Sequence, residues 1–314
     1  MSRKTVIALD VGGTTIDRAC VSIDGELIGD VRESDSPAAG TSDEIVHELA
    51  RVITAARAQA GSAEVIASGI AMPAPFDYTA GVSHMAHKFR AIRGLPLGTL
   101  LAAKAGLPVY FLNDADAFGL GVGWRQLPDV KRFVALTIGT GLGSGFIEDG
   151  RAVTSGDRVP PDGEVWNLPY RGGILEDHVS ARAVTTSYGT RPDGTRLPGP
   201  EKTAREVSGL AAAGDEAAVA AFRAMGEALG GGLAPVLARF EPEAIVIGGQ
   251  VGQSLELFAP AMRRALAEAG LPNVLVLPAA PGNMAIWGAA RHAFTAGLLA
   301  GRRPQAGQPG RDSG

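Results

Sequence analysis

Cysteine is almost missing from these 314 residues, since Cys20 stands alone. One thiol rules out an internal disulfide and any zinc centre built on several thiolates, and it suits a reducing cytoplasm. A strong charge of either sign is missing too. The 29 basic and 33 acidic side chains leave a net charge of -4, and there is no basic cluster that would track a nucleic-acid backbone. No apolar signal segment precedes the first strand signal near Thr5, and no apolar run is long enough to span a bilayer. The expected setting is therefore the cytoplasm, with neither nucleic acid nor membrane as a partner. Two nucleotide signatures are absent as well. GxxxxGK[ST] does not occur, and the cluster Gly139 to Gly145 fails GxGxxG because Ser144 and Phe146 fall where its last glycine is required.

What is present is a large apolar fraction, 46% of the chain, enough to bury the cores of two lobes. Two glycine-threonine hairpins punctuate it: Asp10-Val11-Gly12-Gly13-Thr14-Thr15, and Thr137-Ile138-Gly139-Thr140-Gly141-Leu142-Gly143-Ser144-Gly145. Each follows an apolar run that reads as a buried strand. Ala8-Leu9-Asp10 leads into one and Ala135-Leu136-Thr137 into the other, and an Asp-Gly turn follows each, Asp24-Gly25 and Asp149-Gly150. The repeat predicts a duplicated strand-turn-strand-turn-strand unit. Glycines allow close backbone approach to an anion, while threonine hydroxyls and free amides donate to phosphate oxygens.

Strands are expected over Thr5 to Leu9, Ile16 to Ile23 and Glu26 to Val31, then a helix over Ser42 to Ala60 with Thr41 and Glu44 at capping-box spacing and Gly61 as its terminator. Val65 to Met72 and Pro108 to Leu112 read as buried strands. Between them Pro73 to Leu97 is a polar loop long enough to be functional or mobile. A short helix over Ala115 to Gly121 and a strand Phe133 to Ile138 begin the second half. Ser155 to Gly173 reads as irregular. Helices are then expected from about Leu175, over Asp215 to Arg239, over Ser254 to Ala269 and from about Ala285, with strands Ala244 to Ile247 and Val274 to Leu277. The expected division is a smaller lobe, 1–113 completed by the helix 285–300, a larger lobe, 114–284, and a disordered tail, 301–314.

Several side chains suit phosphoryl transfer. Asp114, at a strand-to-helix junction, has the chemistry of a general base for an alcohol, and equally that of a helix N-cap. Asn113 either hydrogen-bonds a polyol or caps the local backbone. Glu164 and Glu176 either accept from ring hydroxyls or are solvated surface carboxylates. Asp10 either holds a hydrated Mg²⁺ beside phosphates or caps turn amides. Gly248 and Gly249, after a strand, are nucleotide candidates.

In order along the chain, Asp10 to Thr14, Leu112-Asn113-Asp114-Ala115-Asp116-Ala117, Gly139 to Gly145, Gly163-Glu164, Leu175-Glu176 with Ser180, and Ile247-Gly248-Gly249 resemble the motifs of the ROK family of sugar kinases and related repressors. The resemblance covers roughly Thr5 to Leu299. It implies the two-lobed actin-like (ribonuclease H-like) α/β fold, with duplicated mixed sheets and an interlobe cleft, and a homodimer. It further implies ATP and Mg²⁺ as cofactors. Asp114 would be the base, and Asp10, Gly12, Gly13, Thr14, Thr15, Thr137, Gly139, Thr140, Gly141, Gly143, Gly248 and Gly249 would surround the nucleotide. Asn113, Asp114, Glu164, Asn167, Glu176 and Lys88 would face the acceptor.

The chain also departs from that family. Where the family has GExGH, it reads Gly163-Glu164-Val165-Trp166-Asn167, so Asn167 stands at the histidine position and Trp166 at a glycine. Leu168 to Gly173 holds no cysteine, which excludes the family's structural zinc. The Asn-Leu-Pro-Gly-Trp run is missing, and Lys88 falls near its Asn. These changes direct the expected acceptor away from ordinary glucose toward an atypical ring: an amino sugar such as kanosamine, or a cyclitol. The expected activity is an ATP-dependent kinase for a hydroxyl of such a hexose-like acceptor. The alternatives are a non-catalytic sugar-responsive regulator and a polyphosphate-dependent glucokinase.

Overall fold

The computed structural model describes residues 3–190, 195 and 202–300, and the side chains through residue 297; the expected tail 301–314 lies outside them. Two compact units result, one holding the chain up to Asn113 together with the part from Ala289 onward, the other Asp114–Gly288.

The first unit is built on β1 (Lys4–Val11), β2 (Thr15–Ser22), β3 (Leu27–Asp35), α1 (Ser42–Gln59), β4 (Glu64–Met72), α2 (Leu97–Ala105) and β5 (Val109–Asn113). Its sheet has the order β3-β2-β1-β4-β5, antiparallel from β1 to β3 and parallel from β1 through β4 to β5. Val6, Ile7, Ala8 and Leu9 have no exposed surface, which makes β1 a central strand covered on both faces. The Thr41–Glu44 capping box forms as expected and starts α1, which buries Ile45, Leu49, Val52, Ile53 and Ala56. Gly61, at φ +57, follows its end. Cys20 lies in this core and donates to the Ala56 carbonyl at 2.9 Å; burial pushes its thiol up to about 11, so it stays protonated.

The second unit comprises α3 (Asp114–Arg125), β6 (Arg132–Ile138), β7 (Leu142–Glu148), β8 (Arg151–Ala152), α4 (Ala181–Tyr188), α5 (Ala204–Ala212), α6 (Glu216–Phe240), β9 (Ala244–Gly248), α7 (Leu255–Glu268) and β10 (Leu275–Pro278), and α8 (Met284–Ala300) begins in it. Its sheet order is β8-β7-β6-β9-β10, the first sheet over again with each strand number raised by five. The directions repeat as well. The expected duplication is therefore present at the level of a whole sheet.

Three readings are corrected. The helix expected from Leu175 is a 3-10 turn over Leu175–Asp177; α4 starts later because the Ser180 hydroxyl accepts from Ala183 N–H at 3.2 Å and caps it there. Two helices were not anticipated. α2 buries only Leu97 and Leu101, too sparse a stripe to show a period. α5 has a Thr203–Glu206 capping box like that of α1, a start signal present in the sequence. The segments read as loops carry small structure of their own, a ribbon of Phe76–Asp77 with Val82–Ser83 and another of Pro169–Tyr170 with Gly173–Ile174.

Candidate active site

In the first unit the turn from β1 to β2 is closed by Gly12 N–H donating to Thr15 O at 2.9 Å. Asp10 stands opposite Asp17 in the β1–β2 register, so two carboxylates share one face at the base of this turn. The long loop after β4 reaches it. Met85, Phe89 and Ile92 have no exposed surface and anchor that loop in the core. Lys88, between these anchors, lies over Gly13: a Cβ placed there would meet Lys88 Cδ and Cε at 3.4 Å and Nζ at 3.8 Å. Lys88, expected on the acceptor side, thus brings a cation to the first glycine turn. At the end of β5, Asn113 Nδ2 donates to Tyr78 Oη at 3.2 Å, and Tyr78 Oη donates to Met72 O at 3.1 Å. Tyr78 orients the Asn113 amide; nothing in its sequence context distinguished it within the loop.

The second unit holds the matching turn. Gly139 N–H donates to Gly141 O at 3.0 Å, and Leu142 N–H donates to Glu176 Oε2 at 2.9 Å. A Cβ on Gly141 would meet Glu176 Oε2 at 2.6 Å. Glu176, expected to face a ring, therefore sits inside the second glycine turn. Gly139 has open space at its Cβ position, leaving that edge accessible. Ala181 N–H donates to Gly139 O at 2.8 Å, which seats the start of α4 under the turn. Gly249, at φ +84, passes so close to β6 that a Cβ would lie 2.5 Å from Ile138 O. Gly248 lies against the Phe118 ring. The glycines at the end of β9, Gly248 and Gly249, are required by packing at the foot of the second turn.

Asp114 is the first residue of α3, and its Oδ1 accepts from Ala115 N–H at 2.9 Å. The first turn of α3 rests on β7: a Cβ on Gly145 would meet Ala115 O at 2.8 Å and Asp116 Cα at 3.2 Å. Ser144, its neighbour and so directed to the other face of β7, donates to Gly163 O at 2.6 Å and accepts from Val165 N–H at 3.1 Å. One pair of adjacent residues thereby fixes both the turn bearing Asp114 and Asp116 and the segment bearing Glu164. The consequence is electrostatic. Asp116 is 7% exposed, and burial first, then the negative Asp114 and Glu164, push its carboxyl up to about 7. Glu164 Oε2 accepts from Trp166 Nε1 at 2.6 Å. Asn167 follows on the exposed surface. Sequence reasoning overlooked Ser144 and Asp116 as site-building residues, because a contact across 19 positions and a burial state leave no local signature.

The repeated mixed sheet, the paired glycine turns and the carboxylates beside one of them define a fold class, the two-unit actin-like α/β architecture of sugar-phosphorylating enzymes. Within that class the chain belongs to the ROK family, whose model matches residues 6–290. It is 28% identical over 291 residues to a glucokinase of Thermotoga maritima, covering 87% of this chain and 90% of the relative. It is also 28% identical over 258 residues to an N-acetylmannosamine kinase of Citrobacter koseri, covering 79% and 84%. A crystal structure of glucokinase from Parabacteroides distasonis superposes with a TM-score of 0.79 at 25% identity, over 95% of this chain and 98% of that one.

Proposed function

We propose that this protein transfers the terminal phosphoryl group of ATP to a hydroxyl of a hexose-like ring. It is an enzyme of the sugar-phosphotransferase class, and the finer assignment concerns its donor, its acceptor and its residues. The observation that carries the reading is the construction of the second unit: Gly143 and Gly145, in the strand leaving the second glycine turn, pass against Ala115 and the Asp116 backbone. A candidate base and a candidate phosphate turn are thus packed together in one unit.

Asp114 accepts the hydroxyl proton as the new bond to phosphorus forms. Thr137, Gly139, Thr140, Gly141 and Gly143 in this unit, and Gly12, Gly13, Thr14 and Thr15 in the other, supply amide and hydroxyl donors to phosphate oxygens, with Gly248 and Gly249 on the nucleotide side. Lys88 adds the positive charge that a transferring phosphoryl group calls for. Asp10, with Asp17 opposite it, offers the hard oxygen donors that a water-retaining Mg²⁺ takes. That ion supplies neutralisation of phosphate charge. Asn113, Glu164 and Asn167 take the acceptor hydroxyls, and Glu176 holds the second turn in shape.

The test is acceptor-dependent consumption of ATP, with polyphosphate as a parallel donor, over hexoses, amino sugars including kanosamine, N-acetylated sugars and cyclitols. The expected outcome is turnover with ATP and at least one six-membered ring, the product located by NMR. Sugar binding without turnover of either donor contradicts the reading and favours a regulator; turnover with polyphosphate alone reassigns the donor.

A further inference from the structure

Trp166 is one of three tryptophans and the one whose ring stands out, 38% exposed. Its backbone is nevertheless firmly held: Val165 before it is fully buried, and its carbonyl accepts from Glu176 N–H at 3.0 Å. Its ring N–H is committed to Glu164 Oε2 at 2.6 Å, a bond to a charged acceptor that restricts both side chains. Glu164 is close enough to Asp116 to raise that carboxyl, as Asp114 also does. The indole therefore stands beside Glu164, one of the carboxylates of the candidate site, on an anchored segment, with 38% of the residue exposed.

Resting on the sugar-kinase reading, we propose that Trp166 is the acceptor-selecting residue of this site. Its N–H orients Glu164, leaving Oε1 to accept from an acceptor hydroxyl, and the exposed part of its indole is the wall against which the C–H face of a ring packs. The substrate class follows. A six-membered polyol ring, pyranose or cyclitol, presents such an apolar face, and an open-chain polyol of the same hydroxyl count does not.

The two functions of the side chain are separated by Trp166→Phe, which keeps a face and loses the donor, and Trp166→Ala, which loses both. With a ring acceptor that the wild type phosphorylates, W166F is expected to raise acceptor KM roughly tenfold, through loss of a charge-assisted hydrogen bond. W166A should raise it a further roughly tenfold, with loss of aromatic contact area. The KM for ATP should stay unchanged and kcat should move much less than acceptor KM. Binding of the same acceptor should perturb tryptophan emission in the wild type and in Trp124→Phe, but not in W166F. Sorbitol should be a poor acceptor for the wild type, and its discrimination from glucose or myo-inositol should shrink in W166A. Unchanged acceptor KM in W166F and W166A, or emission that responds equally in W166F, overturns the proposal while leaving the kinase reading intact. Wild-type protein that phosphorylates no ring at all overturns the kinase reading, and with it the premise of this one.

Discussion

Asp116 shows how much of a site depends on burial rather than on residue type. In the sequence it is one acid in Asn113-Asp114-Ala115-Asp116; in the fold it is 7% exposed, and burial lifts its carboxyl from 3.8 to about 7. A carboxyl raised on folding contributes most at low pH, and its contribution is lost as pH rises from near 4 through about 7. Asp116→Asn is neutral at every pH and nearly the same shape. Its stability relative to wild type is therefore expected to grow by about 2–3 kcal/mol between pH 5 and pH 8, measured by urea unfolding at the two pH values. A difference that does not change with pH contradicts this account of Asp116. Asp114, Asn113 and Glu164 were legible as candidates from residue type and motif. Tyr78, which orients Asn113 from 35 positions away, was not, because a contact of that separation exists only after folding.

At the scale of elements, the glycine turns owe their shape to what lies under them. Gly249 illustrates this, since both its φ of +84 and the 2.5 Å approach of its Cβ position to Ile138 O exclude a side chain. Gly150, in the hairpin from β7 to β8, has a φ of +70 and nothing within 4 Å. Gly150→Ala should thus cost only about 1 kcal/mol, the penalty of the backbone conformation, whereas Gly249→Ala should cost upwards of about 3 kcal/mol because β6 must also shift. Chemical denaturation of the two variants checks the difference, and equal losses would contradict it. Elements were legible where a local device announced them. The Thr41–Glu44 box marked α1, and the equivalent Thr203–Glu206 box would have marked α5. α2 had no comparable signal, since two buried leucines four residues apart do not make a period.

For the whole molecule, the duplication read from two hairpins extends to two five-stranded sheets of the same order. It was legible because it is written in short-range patterns repeated at a distance: an apolar strand, a glycine-threonine turn, a second strand and an Asp-Gly turn. The acceptor side was less legible for the converse reason. Glu164, Trp166 and Asp116 acquire their relationship from Ser144 and Gly145, and no single stretch of sequence contains it. The chain belongs to the ROK family, and the proposed base is Asp114, the carboxylate at the head of α3. The most direct measurement is phosphoryl transfer by Asp114→Asn, alongside calorimetric binding of ATP and of an acceptor that the wild type uses. The account predicts a fall in kcat of roughly a thousandfold, with both ligands bound about as well as by wild type. Turnover undiminished by the substitution would contradict it.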